Sequence, residues 1–542
     1  MQVTRGSRLR TDARFDGGAA VLPDRRHVLS LTAVAALTLT AAYVLWHPKT
    51  PDLAAQVART QLVRRAGNVD WWTGWFGGLS LPSYSVLTPA WMAAIGVTVA
   101  GALAAIAASL GLAQLVRDAP RPRAGAVAFC CMCVADVALG RVTFAAGLAV
   151  AVWALVALRA QRSVIAGVLA VASALASPLA GLFLGIALVA VAVTDRSRRV
   201  AALAGAGGLL AVGAALALLY PGSGTMPFGV ADGLRGGACC VGVAVLCRVR
   251  VVRVAALITL VSMPLFAIVP GAVGANIVRL AWICTVPLVI AYAGVRVSRL
   301  IVLVLVGALW PAFDITGQLM SAAQPSSGRA YFAPLALQLS AEQAAAGTAA
   351  LGQRLELVDT ANHWGNAYLS GVALARGWDR QADVAHNGLF YDKGALTAQT
   401  YRAWLDQMAV GWVALPDAQL DYAAKTEAAL VRSGLPYLRL AWSSKDWKLY
   451  RVLDATPLAT GADLLAVGPS SVTVRTSAPS TVTLRVRYLP SLSATDPATG
   501  AVAACVGDDN GWVRLTVPRA ETVVVRTSRI PSTNNSDLAG AC

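Results

Sequence analysis

Charged side chains are scarce in this chain. Asp, Glu, Lys and Arg make up 13% of its 542 residues, against roughly 25% in a soluble globule. That shortage excludes an ordinary soluble protein. With 57% hydrophobic residues and a mean hydropathy of +0.61, it points to a membrane. Histidine is scarcer still, with four in all, of which only His363 and His386 lie in the polar tail. No Gly-x-Ser-x-Gly elbow supports a serine nucleophile, and no Walker, lipobox or CaaX motif appears. The nine cysteines lack the paired spacing of a metal site. Cys130-Cys131-x-Cys133 has no second ligand pair and sits in an apolar run, so it reads as small buried hydrophobes. Only Cys505 and Cys542 fall in the tail, where an oxidising exterior allows them to pair.

What is abundant is apolar runs. They fall at about 28–46, 89–116, 124–139, 143–158, 163–176, 179–194, 200–220, 237–247, 254–270, 280–294 and 300–315. The spacing predicts a polytopic α-helical membrane domain over residues 28–315 with about eleven spans. The +17 net charge raises the question of nucleic acid. However, the arginines cluster in short turns between apolar runs, such as Arg117, Arg121 and Arg123 or Arg196, Arg198 and Arg199. That is the positive-inside pattern of a membrane protein, so no nucleic-acid partner is expected. The basic segment 1–27 reads as cytoplasmic, and the first run as a signal anchor. An odd number of spans then places the tail outside the cytoplasmic membrane.

The tail divides by texture. Residues 316–455 mix short apolar strands with helices, expected at Ala398–Met408 and Asp421–Ser433, and read as an α/β domain. Residues 456–542 alternate apolar with polar or basic positions, as in Thr481-Val-Thr-Leu-Arg-Val-Arg487. That pattern predicts a small β-sandwich-like domain with one wet face, frayed over its last dozen residues. The aromatic stretches His363-Trp-Gly-Asn-Ala-Tyr368 and Gly388-Leu-Phe-Tyr-Asp392 read either as a sugar-binding surface or as loops packed on their own domain.

Charges near membrane depth are costly, and here they gather on the outer side. Asp52 follows the first span. Asp70 opens the aromatic patch Trp71, Trp72, Trp75 and Phe76 in the outer loop 47–88. Asp136 and Arg141 flank a short turn, Asn276 and Arg279 open the tenth span, and Asp314 ends the eleventh. Each alone reads as a hydrated or structural residue, whereas the set reads as a substrate cavity. Leu53–Leu62 reads as a helix lying on the membrane surface, anchored by tryptophans, where it either holds a lipid-linked substrate or serves as a plain anchor.

The order of first span, long outer loop with an early acid, many spans and exterior tail resembles the GT-C superfamily of integral-membrane glycosyltransferases. More locally it is similar to actinobacterial members with a YfhO-like layout. Matching stretches are Asp52-Leu-Ala-Ala-Gln56, Trp75-Phe-Gly-Gly-Leu-Ser-Leu-Pro-Ser-Tyr-Ser-Val-Leu-Thr-Pro89, Gly140-Arg-Val-Thr-Phe-Ala-Ala-Gly147, Ala174-Leu-Ala-Ser-Pro-Leu-Ala-Gly181 and Asn276-Ile-Val-Arg279. In the tail they are Ala375-Arg-Gly-Trp-Asp-Arg-Gln381, Gly388-Leu-Phe-Tyr-Asp392 and Thr400-Tyr-Arg-Ala-Trp404. The resemblance implies transfer of a sugar from a polyprenyl-phosphate donor to a cell-envelope glycan or glycolipid, outside the cytoplasmic membrane of a bacterium. It assigns the base to Asp52. Asp70, Trp71, Trp72, Trp75, Asp136, Arg141, Asn276 and Arg279 become candidate substrate-binding residues. Arg279 or Arg141 would stabilise the leaving phosphate. No metal or other cofactor is expected. The rival readings are a non-catalytic envelope-assembly scaffold and a transporter of lipid-linked precursors.

Overall fold

The computed structural model describes residues 25–222 and 224–528. Most of the basic N-terminal segment, the expected frayed C-terminus and Cys542, with its pairing to Cys505, lie outside the described residues. The helical region runs α1 (Arg25–Trp46), α2 (Pro51–Ala66), α3 (Thr88–Ile95), α4 (Val97–Val116), α5 (Pro122–Ala138), α6 (Val142–Arg159) and α7 (Ser163–Ala176). It continues with α8 (Pro178–Thr194), α9 (Arg199–Leu219), α10 (Val230–Leu246), α11 (Arg250–Ile268), α12 (Val278–Tyr292) and α13 (Val297–Ala322).

Among the described residues, seven helical segments are long and apolar enough to cross a membrane, not eleven: α1, α4, α6, α9, α11, α13, and α12 with the turn that leads into it. Helices do form at the other expected positions, but α5, α8 and α10 have 17 residues and α7 has 14. At 1.5 Å per residue, α7 covers about 21 Å of a hydrocarbon core roughly 30 Å thick. Small residues bring the helices together. Gly147 backs onto Ser177 and Ala180, and Gly181 onto Ala174, so closely that a Cβ at either glycine would lie under 3 Å from its neighbours.

The outer loop departs most from expectation. Helix α2 does not lie on a membrane surface, because Leu53, Ala54, Gln56, Ala58, Arg59 and Leu62 are all buried in protein. After it, β1 (Trp71–Trp72) pairs antiparallel with β2 (Leu79–Ser80). Trp72, Trp75 and Phe76 join Leu355, Leu357, Trp412 and Trp447 of the tail in one core. The aromatic patch is therefore the seam between loop and tail.

Within the tail, helix α14 (Arg329–Ala346) comes first. A four-stranded sheet follows in the order β3 (Arg354–Leu357), β4 (Val410–Pro416), β6 (Trp447–Val452) and β5 (Leu438–Ser443), with only the β3–β4 pair parallel. Short helices α15 (Gly365–Tyr368), α16 (Arg380–His386), α17 (Ala398–Gln407) and α18 (Lys425–Arg432) surround it.

The remaining strands are β7 (Ala459–Thr460), β8 (Asp463–Gly468), β9 (Ser471–Arg475), β10 (Ser480–Arg487), β11 (Leu492–Thr495), β12 (Val502–Asp509), β13 (Trp512–Val517) and β14 (Thr522–Thr527). They form one antiparallel sheet in the order β7-β10-β13-β12-β11-β14-β9-β8, which nearly closes into a barrel. It is not the expected sandwich of two sheets. Val472, Val474, Val482, Leu484, Val513, Leu515, Val523 and Val525 fill its interior at 0% exposure, the inward half of the alternation.

Candidate active site

The site is built where α2 begins. Thr50 donates its hydroxyl to the Ala138 carbonyl at 2.8 Å, fastening the start of α2 to the end of α5. Gly140, at φ +86°, follows in the α5–α6 turn, and a Cβ there would lie 2.2 Å from the Leu53 nitrogen. Only glycine allows so close an approach of two backbones in that conformation. The contact delivers Asp52, in the first turn of α2, beside Arg141 on the far side of the same turn. A carboxylate is favourable at a helix N-terminus.

Arg141 is the centre of the arrangement. Its Nε donates to Asp52 Oδ2 at 3.3 Å, its Nη2 to Asp314 Oδ2 at 3.4 Å, and its Nη1 lies 3.6 Å from Asp136 Oδ1. Asp136 is fully buried, and both its oxygens lack a hydrogen-bond partner among the described residues. The guanidinium also lies over the Trp282 ring at 5.3 Å. Three carboxylates thus converge on a cation already in place. Arg279 donates to Asn276 Oδ1 at 3.2 Å and stacks over Phe144 at 5.2 Å. One turn along α2 from Asp52, Gln56 donates to the Tyr84 hydroxyl and accepts from Thr143.

Beside this cluster opens a cavity of about 640 Å³, lined by Arg141, Asp232, Arg235, Arg279, Trp310 and Asp314 among others. Of the residues expected from sequence, Arg141, Asn276 and Arg279 line this cavity, and Asp52 and Asp136 reach it only through their pairing with Arg141. Asp70, Trp71, Trp72 and Trp75 do not line this cavity. Trp71 is buried in the barrel core, and Trp72 and Trp75 pack on each other at 4.5 Å within the loop–tail seam. Asp70 receives the Leu81 amide on its carbonyl within the same loop. Asp232, Arg235, Trp282 and Trp310 escaped the sequence reading. Asp232 and Arg235 stand three apart on α10, hence on one helix face, but the Gly-rich stretch around them read as loop.

The tail reaches the same point from above. Trp364 Nε1 donates to the Lys49 carbonyl at 2.7 Å, and Trp378 Nε1 to the Pro51 carbonyl at 2.9 Å. Trp378 stacks on His363 at 3.4 Å and lies under Arg380. Arg380 grips Asp421 with both terminal nitrogens, at 3.0 and 2.7 Å. Burial pushes the Asp421 carboxyl up, but the Arg380 hydrogen bonds and the nearby His363 outweigh it and hold the group down at about 2. His363 and Trp364, at 3% and 4% exposure, are packed inward and form no open sugar-binding surface. Among the described residues, no group of three or more His, Cys, Asp or Glu converges as metal ligands.

These features define a polytopic helical protein of membrane-spanning character, whose C-terminal tail is fastened to the backbone at Lys49 and Pro51, beside Asp52. No protein-family model matches the chain, and no curated protein matches it. Among solved structures, the arabinofuranosyltransferase AftD from Mycobacteria aligns with 93% of this chain and 57% of its own, at 14% identity and a TM-score of 0.42. A mutant form of the same enzyme aligns with 93% and 60%, at 13% identity and the same TM-score. The chain thus spans little more than half the length of that enzyme.

Proposed function

We propose that this protein is a membrane glycosyltransferase of GT-C type. In this reading it transfers a sugar from a polyprenyl-phosphate donor to a cell-envelope glycan or glycolipid, outside a bacterial cytoplasmic membrane. The observation that carries the reading is the Asp52 carboxylate paired with Arg141, which itself lines a 640 Å³ cavity that holds two further arginines. Asp52 takes the proton of the acceptor hydroxyl as that oxygen attacks the anomeric carbon. The anomeric C–O bond to phosphate breaks, and the phosphate leaves with the bonding pair. Arg141 already faces three carboxylates, so stabilising the departing phosphate falls to Arg279, with Arg235 beside it. The face of Trp310 suits the apolar face of a sugar ring. No metal or other cofactor enters this step.

The test is turnover. Purified full-length protein in lipid receives a panel of radiolabelled polyprenyl-phosphate sugars with envelope glycan acceptors. Wild type should transfer label, and Asp52→Asn should lower the rate by about 10²–10⁴-fold at unchanged expression. Absence of transfer by wild type across the panel overturns the reading in favour of an assembly scaffold or precursor transporter.

A further inference from the structure

A second cavity within the bundle has the opposite character. It measures about 730 Å³ and sits among α4, α5, α6, α8, α10, α11 and α12. Its walls are apolar, with Leu112, Phe129, Val152, Phe183, Val243 and Leu288 among them. One end differs, where Arg159, Arg198 and Arg250 line it together with Asp195. Asp195 pairs with Arg198, and Asp118 pairs with Arg159. Arg250 is exposed and has no ion pair or side-chain hydrogen bond among the described residues.

The cavity's length decides what fits. Along α12 its lining runs from Leu280 to Tyr292, about 18 Å at 1.5 Å per residue. The hydrocarbon core of a bilayer is about 30 Å thick, so the cavity has the depth of one leaflet. An apolar space of this size does not hold ordered water, which needs polar partners. An acyl chain suits such a space, and the charged residues at one end suit a head group.

We propose that this cavity binds one chain of an anionic phospholipid from the leaflet at the arginine-rich turns, with the lipid phosphate against Arg250. Arg159 and Arg198 are committed to carboxylates and shape that end. Arg196, Arg199, Arg248 and Arg253, in the same turns, add to the positive potential that draws an anionic head group. The rival occupant enters from the other side. Arg279 and Trp282, at the opposite end of α12, face the polar cavity, and an amphiphile with its head there would run its tail downward. The proposal does not rest on the transferase reading.

Full-length protein is reconstituted in phosphatidylcholine nanodiscs doped with phosphatidylglycerol, released into mild detergent and examined by native mass spectrometry. One phosphatidylglycerol should stay bound. Arg250→Gln, an exposed change that leaves the fold intact, should cut its retention at least about fivefold without affecting phosphatidylcholine. Ala255→Phe, which narrows the apolar wall, should remove bound lipid of either kind. Three results overturn the proposal: no retained lipid in wild type, equal retention in Arg250→Gln, or retention lost in Arg279→Gln instead. The last gives the cavity to the tail of an amphiphile headed at the polar site.

Discussion

The indole nitrogen of Trp378 donates to the main-chain carbonyl of Pro51 at 2.9 Å, one residue before Asp52. Trp364 grips Lys49 in the same way from the other side, and the Arg59–Asp379 pair at 2.7 Å ties down α2 two turns further on. The tail therefore fixes the backbone that presents the candidate base. Trp378→Phe keeps a six-membered ring to stack on His363 but loses the donor and the rest of the indole, at a cost of about 1–3 kcal/mol. The expected result is a small drop in melting temperature with faster amide exchange at residues 52–56. Unchanged exchange there would sink the clamp. Trp378→Ala should cost about 3–5 kcal/mol, since it also empties the space of the ring.

Gly140 is the second fixed point. A methyl group there meets the Leu53 nitrogen at 2.2 Å and the Asp52 carbonyl carbon at 2.8 Å, and both are backbone atoms that no rotamer change can move away. The residue also sits at φ +86°. Gly140→Ala is expected to destabilise by about 2–4 kcal/mol, read as a lower denaturation midpoint. Gly167→Ala inside α7, where nothing lies within 4 Å, is the control and should not destabilise, gaining up to about 1 kcal/mol from helix propensity.

Arg141 and Asp136 test whether the cluster is one unit. Removing Arg141 leaves Asp136, at 0% exposure, without its counter-charge. Arg141→Met should cost about 3–5 kcal/mol, and adding Asp136→Leu should recover much of it, because replacing a whole buried pair by apolar groups is often close to neutral. Equilibrium unfolding of wild type, both single variants and the double variant gives the coupling energy. A value near zero would mean that the 3.6 Å approach carries no interaction.

Much of this site was legible from residue type and place. Asp52, Asp136, Arg141 and Arg279 stood out because ionised groups at the edge of apolar runs are costly, and four on one side call for a common cause. Asp232 and Arg235 did not stand out, since the glycines around them masked the start of α10. Trp72 and Trp75 read as interface anchors because tryptophan favours the membrane boundary. Their place in the seam depends on contacts some three hundred residues away: Gly377 abuts Trp75 so tightly that a Cβ would lie 2.4 Å from its ring. The alternation in Thr481–Arg487 matches the buried and outward positions of β10, but a sandwich and a nearly closed barrel share it. Strand order separates the two, and a local pattern does not encode strand order. Apolar runs located the helices, whereas the count of spans required helix length as well.

The buried charges of the tail set opposite pH dependences. Glu356 and Glu427 are both at 0% exposure beside Arg376. Burial above all, then the neighbouring Glu427, pushes the Glu356 carboxyl well above its ordinary 4.5, although Arg376 works against the shift. A folded value above the unfolded one means that this group's contribution is complete below the ordinary carboxylate range. It is lost as pH rises through the raised value. Asp421, held at about 2 against an ordinary 3.8, behaves in reverse: its contribution is present above 3.8 and is lost as pH falls toward 2. Glu356→Gln keeps the shape without a titrating proton. Its melting temperature should therefore exceed that of wild type on the alkaline side, and the two curves should converge at acid pH. Asp421→Asn should lower stability at neutral pH, by stripping Arg380 of its bidentate partner, and should flatten the acid limb. Melting curves of the three proteins across pH settle both signs. An alkaline limb that survives Glu356→Gln unchanged would move the titrating proton from Glu356 to Glu427, the other carboxyl raised by burial.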